Sequence, residues 1–372
     1  MRQTYSNCAA RTAAIAIILA ATSAASAADV ANTQPAPIAY PYIEGSGELA
    51  IGNDFVVSSD DPAGEVNDLF FEGELGLKVF LTPLAAINAG ITAESVLDPV
   101  PFDDRAFGDI GLYVDTLNLE LSNGATTFLA GKFGPGFGRA WDITPGVYGT
   151  DLVEDYELSE QVGFGLSHAF ATAYGTHTLG THIFTADTSV LSESAFTNRG
   201  RQSRFDGGAG NTGRLDNFSV TLDGAELPGL DGISYHLGYR HLSAGFGDDY
   251  DENGFVAGLA RESELANGST LAISGEAAYL ANAFGSPDDA LYLTAGMSLE
   301  NGPWHGELAG TIRRLDLRDG GDQSDLLAQV SAGYAFDNGF DVSVGYAYVH
   351  AEDLDAHVVG LRLTKAFEFT TR

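Results

Sequence analysis

The sequence predicts an all-β protein, a transmembrane antiparallel β-barrel of sixteen strands. Three observations carry that expectation: a strictly alternating closing segment, a chain-long alternation of short turns with longer polar loops, and a short apolar leader at the N-terminus. From His357 to Phe369 one parity reads His357, Val359, Leu361, Leu363, Lys365, Phe367, Phe369, and the other reads Val358, Gly360, Arg362, Thr364, Ala366, Glu368. A strand places these sets on opposite faces. One face is mostly apolar, the other small, polar or charged, and the aromatics fall at the end that a membrane interface favours.

The leader sets the compartment. Arg2 and Arg11 flank its start, an apolar run follows over 12–21, and Ala25-Ser26-Ala27 offers a small-residue cleavage site. A membrane anchor needs about 20 apolar residues, roughly twice this run. Residues 1–27 are therefore expected to be a cleaved signal peptide, 28–44 a periplasmic lead-in, and 45–372 a single barrel domain. Cys8 is the only cysteine. It leaves with the leader, which excludes disulfides, thiolate metal sites and cysteine nucleophiles from the mature chain.

Composition agrees with a barrel. The chain carries 18 Lys+Arg against 51 Asp+Glu, a formal charge of −33, and loss of the two leader arginines takes it to −33 − 2 = −35. Such a surface repels nucleic acid. With 44% hydrophobic residues, 46 Gly, 22 Phe and 15 Tyr, the chain is not built as a disordered acidic tail. Its mean hydropathy is near zero, as expected where a lipid face and a wet lumen offset each other.

Turn signals then divide the chain. Asn123-Gly124, Asn267-Gly268, Asn301-Gly302 and Asn338-Gly339 are tight-turn dipeptides, expected to place both central residues at positive φ. Further short connections fall near Pro83, Tyr174-Gly175 and Leu227-Pro228-Gly229. Between these and eight longer connections lie sixteen candidate strands, from 45–57 through 215–223 to 356–369. In 69–81, Phe71, Leu75, Leu77, Val79 and Leu81 oppose Glu72, Glu74 and Lys78; in 340–350, Phe340, Val342, Val344, Tyr346 and Tyr348 oppose Asp341, Ser343, Gly345 and Ala347. Phe70, Tyr113, Tyr292, Trp304, Phe336, Phe340 and Phe367 sit near strand ends and are expected in interfacial belts.

The third long connection, 134–160, follows Gly131-Lys132-Phe133-Gly134-Pro135-Gly136-Phe137-Gly138-Arg139 and is rich in Asp and Glu. Here the chain resembles the sixteen-stranded porins of Gram-negative outer membranes, with a strand-to-loop passage similar to that of phosphate-selective and siderophore-type porins. The architectural resemblance spans the mature chain. It implies that the loop folds inward and narrows the pore, its acids Asp142, Asp151, Glu154, Asp155 and Glu157 facing bases on the wall. Parity selects those bases as Lys78, Lys132, Arg240, Arg313 and Arg362, because a charge in the lipid belt costs about 2–4 kcal/mol near the midplane. The competing reading is that the acids are solvated surface and some bases pair structurally with Glu72, Glu74, Glu276 or Glu307.

The resulting expectation is an outer-membrane diffusion channel for small hydrophilic solutes, a homotrimer among lipids and lipopolysaccharide, weakly cation-preferring because Glu72, Glu74, Glu276, Glu307 and Glu368 add to the loop acids. The alternatives are a substrate-specific porin for phosphate-like anions, sugars or a siderophore, and a non-conducting barrel acting as an adhesin. No cofactor, metal or catalytic residue is expected. His177/His182 and His236/His241 are spaced by five and point to opposite strand faces, and no Gly-x-Ser-x-Gly or HExxH occurs. Asp249–Gly254 matches the first half of a calcium loop, but its twelfth position is Ala260. Arg199, Arg201, Arg204 and Arg214 concentrate in 186–214, where they suit recruitment of anionic solutes at the pore mouth or, more simply, lipopolysaccharide phosphates or neighbouring loop acids.

Overall fold

The computed structural model describes residues 39–318 and 320–372, so the leader and most of the lead-in lie outside the described residues. Among the described residues there are eighteen β-segments, β1 to β18 in chain order, and all but two form the barrel wall. The exceptions, β4 (Arg105–Ala106) and β9 (Ala195–Phe196), are two-residue bridges within loops. β1 (Tyr42–Ser59) pairs with β2 (Asn67–Thr82) on one side and β18 (Leu354–Thr370) on the other. The sheet therefore closes, and the sixteen long strands are antiparallel throughout. Closure removes the unpaired sheet edges that a bilayer would not tolerate.

Strict alternation sets what faces where. In β1, Leu49, Ile51 and Phe55 are each about half exposed on the outer wall, while Ala50 and Asp54 on the other parity are buried. Register carries the same parity around the barrel: Ala50 stands opposite Glu72 and Thr364, Gly52 opposite Phe70 and Arg362. Trp304, Tyr334 and Phe336 stack edge-to-face at the turn-side rim, with centroids 4.8 Å apart in both pairs. Phe70, Tyr113 and Tyr292 do not join that belt; they turn inward and are buried at 3%, 5% and 0% exposure.

The turn chemistry also differs from expectation. In the four Asn-Gly turns only the glycine takes positive φ, at 91°, 82°, 59° and 80°. Gly339 N donates to Phe336 O and Phe336 N to Phe340 O, a tight turn followed by one left-handed residue, the common three-residue hairpin solution. A hairpin turn whose two central non-glycine residues both take positive φ is Glu352-Asp353, at 52° and 63°. It carries no glycine and closes the loop-side hairpin between β17 (Phe340–Ala351) and β18.

Candidate functional site: the lumen and its folded-in loop

Residues 134–160 leave β6 (Thr126–Phe133) and enter the lumen, returning to β7 (Gln161–Thr172). Two apolar contacts seat the loop. Phe137, Val153, Tyr156 and Leu158 pack on Phe184, Leu242, Val256, Leu280 and Tyr292 of the inner wall, and Tyr148 packs on Leu327 and Ala347. Each fully buried side chain of this kind contributes about 1.5–3 kcal/mol. Glycines make room at the second contact: Gly146 has φ 101° and lies hard against Gln329, while Gly360 leaves space for the Tyr148 hydroxyl.

Polar tethers then fix the loop in register. Glu276 of β13 (Thr270–Ala281) accepts from Arg139 N at 2.7 Å and from Tyr156 OH at 2.8 Å. Asp155 accepts from Arg313 at 2.6 Å and from Tyr292 OH at 2.8 Å. Gln329 donates to Pro145 O at 3.0 Å, Tyr148 OH to Asp54 at 2.7 Å, and Arg139 to Asp223 at 3.0 Å. His236 meets Phe137 O and holds Asp223 at 2.9 Å. The loop thus spans the lumen, held by the wall from β8 (Gly175–Ala186) round to β17 and by β1.

Beside the loop lies a cavity of about 330 Å³, bounded by the wall from β15 (Trp304–Asp316) to β18 and by β1 and β2. Asp142, Asp151 and Glu154 line it from the loop, and Glu48, Glu72 and Glu307 from the wall. Against these six carboxylates stand Arg362 and His305. His305 sits between Glu307 and Asp341, its Nε2 2.8 Å from Asp341.

The structure divides the sequence-derived residues. Asp142, Asp151, Glu154 and Arg362 meet at this cavity, whereas Asp155 is the tether just described. Glu157 lies deeper, near Asp142, Glu276 and Arg240; burial pushes its carboxyl up to about 8, with Asp142 adding to the shift and Arg240 opposing it. Enclosure raises Asp142 above the ordinary carboxylate range as well, against the pull of Arg139. Among the bases, Arg240 is 2% exposed, clamped to Glu252 at 2.7 Å, donating to Tyr156 O at 2.6 Å and stacked over Phe137. Arg313 bridges Asp155 and Asp325 at 2.6 and 2.7 Å. Lys78 pairs with Glu120 at 2.8 Å. Arg362 stacks over Phe70, 3.8 Å from Asp54.

Lys132 is enclosed beneath the loop segment 187–199. Its ammonium lies 2.6 Å from Glu160, 2.9 Å from Asp187 and 2.9 Å from Leu191 O, and Arg199 bonds Glu160 while stacking on Tyr113. Removing one partner of a buried pair costs about 3–5 kcal/mol. Lys132→Met is therefore expected to free 187–199 for protease nicking in the folded barrel; a segment as resistant as wild type would contradict that role.

Sequence reasoning missed Glu48, Asp54, Tyr148 and His305. Glu48 and Asp54 were within reach, since both share the parity opposite Leu49, Ile51 and Phe55. Among the described residues no group of His, Cys, Asp and Glu has metal-binding geometry, including Asp249–Gly254.

Sixteen antiparallel strands closed into a barrel are the fold of known outer-membrane channels. Solved structures bear this out. The outer membrane channel DcaP of Acinetobacter baumannii superposes at TM-score 0.57 with 13% identity, over 87% of this chain and 97% of that one. OprB of Pseudomonas putida gives 0.56 and 14%, over 88% and 94%. OmpT of Vibrio cholerae in its trimer form gives 0.51 and 10%, over 87% and 99%. No family model matches the chain, and no curated protein matches it.

Proposed function

We propose that the protein is an outer-membrane porin, a passive and cation-preferring channel for small hydrophilic solutes, with its long loops outside the cell and its short turns in the periplasm. The observation that carries the cation preference is the lining of the constricted cavity, six carboxylates against one guanidinium. The other four wall bases lie outside that lining and pair with Glu120, with Glu160 and Asp187, with Glu252, and with Asp155 and Asp325. Sixteen strands enclose an aqueous lumen rather than a filled core, which supports conduction over an adhesin role. Removal of residues 1–27 on export, a lead-in over 28–44, contact with lipopolysaccharide and assembly as a homotrimer belong to the same reading, the last supported by the trimer form of one structural neighbour.

Purified, folded protein in a planar bilayer is expected to open stable steps whose reversal potential in a salt gradient has the sign of cation preference. A folded sample that never conducts would overturn the channel reading; a clear anion preference would overturn the selectivity. Because Asp142 and Glu157 hold protons more tightly than ordinary carboxylates, each gains negative charge as pH rises through its raised range. Cation preference should accordingly grow as pH rises through the raised range of Glu157 near 8, where unperturbed carboxylates are already ionised. A flat reversal potential across that range would mean that Glu157 is not felt by the permeating ion.

A further inference from the structure

Above the constriction, on the loop side, lies a second cavity of about 200 Å³ between β1, β2, β3 (Ala85–Ser95) and the loop over 96–105. We propose that it is a binding site for a small organic cation, a primary amine or guanidinium compound, on the way to the constriction; the inference rests on the channel reading and names a class of solute for it. Glu94 is the centre. It is 2% exposed, its Oε1 accepts from Tyr113 OH, and its Oε2 is buried without a hydrogen-bond partner. A buried carboxylate oxygen left without a donor is unfavourable, and an ammonium or guanidinium N–H supplies the missing bond in its strongest, charge-assisted form.

Two further features select the ligand. Asp54, Glu72 and Asp98 share the lining with Glu94, and Arg105, the base present, is already bonded to Asp68 through two nitrogens, at 2.8 and 2.5 Å. The site therefore favours positive charge. Val56, Val66, Phe70, Leu97, Pro99 and Val358 form an apolar side of the wall, with Ser95 and Asp68 completing the lining. A bare divalent ion wants oxygen on all sides at 2.0–2.6 Å, and an apolar wall offers none. Methylene groups, by contrast, lose water favourably against it, so a cation with a short hydrocarbon body matches both halves. Glu72 lines this cavity and the constriction alike, which gives the bound cation a shared carboxylate along which to pass.

The test measures binding and conduction separately on the full chain folded in detergent and in bilayers. Calorimetric titration with 1,4-diaminobutane should show saturable binding at one site, with 1,4-butanediol and succinate as the neutral and anionic controls of similar length. Glu94→Gln keeps an acceptor for Tyr113 and should weaken that binding about tenfold or more, the loss expected for one charge-assisted bond; Asp98→Asn, at an exposed position, should weaken it less. In the bilayer the diamine added on the loop side should interrupt the current, and the diol and succinate should not. A channel that conducts yet binds diamine no better than diol, or binds it equally after Glu94→Gln, overturns the site and leaves the porin reading standing. Protein that binds the diamine through Glu94 but never conducts keeps the site and overturns the porin reading.

Discussion

Replacing Asp155 and Glu276 together by alanine is expected to release the lumenal loop and give larger, noisier single-channel currents. The two carboxylates receive four of the bonds that hold the loop, from Arg313, Tyr292, Arg139 N and Tyr156 OH. Hydrogen bonds to charged groups contribute about 1.5–3 kcal/mol each, so four exceed the roughly 5.5 kcal/mol that moves a two-state equilibrium from 1:99 to 99:1. The apolar seats of Phe137 and Tyr148 resist full undocking, which is why fluctuating rather than uniformly wide currents are expected. Arg313 keeps Asp325 and Arg240 keeps Glu252, so the wall itself retains its pairs. Unchanged conductance and noise would mean that the apolar contacts alone fix the loop.

Much of the barrel was legible because strand parity and turn placement are local. The segments expected at 45–57 and 215–223 appear as Tyr42–Ser59 and Asn217–Ala225, and the outer and inner sets of β2 and β18 fall as alternation assigns them. Parity even contained a correction that position near a strand end obscured: Phe70 shares its face with Glu72, Glu74 and Lys78, so an inward ring follows from the same count. What no local pattern holds is who meets whom across the lumen. Arg313 and Asp155 are 158 residues apart in sequence, Tyr156 and Glu276 120, Tyr148 and Asp54 94. Choosing a charge by the face it occupies cannot tell a group that lines the cavity from one spent on tethering the loop. That distinction separates Arg362 from Arg240, and Asp151 and Glu154 from Asp155.

The distinction changes which substitutions should alter selectivity. Neutralising Asp142, Asp151 and Glu154 together, as Asn, Asn and Gln, takes the formal charge of the cavity lining from minus five to minus two, counting six carboxylates and Arg362 with His305 neutral. At about 8 Å in water a unit charge is worth roughly 0.5 kcal/mol before salt screening. Three such charges approach the 1.4 kcal/mol of a tenfold ratio, so the cation-to-anion permeability ratio should fall by up to about an order of magnitude at low salt, and less as salt rises. Asp155→Asn alone should act differently, since Asp155 does not line the cavity and ties the loop to Arg313; it loosens the loop more than it shifts the reversal potential. Arg362→Gln removes the one guanidinium from the lining and should move selectivity further toward cations. If the triple variant left the reversal potential where it was while Asp155→Asn moved it, the permeating ion would be passing on the other side of the loop, and the acidic cavity would not be the constriction.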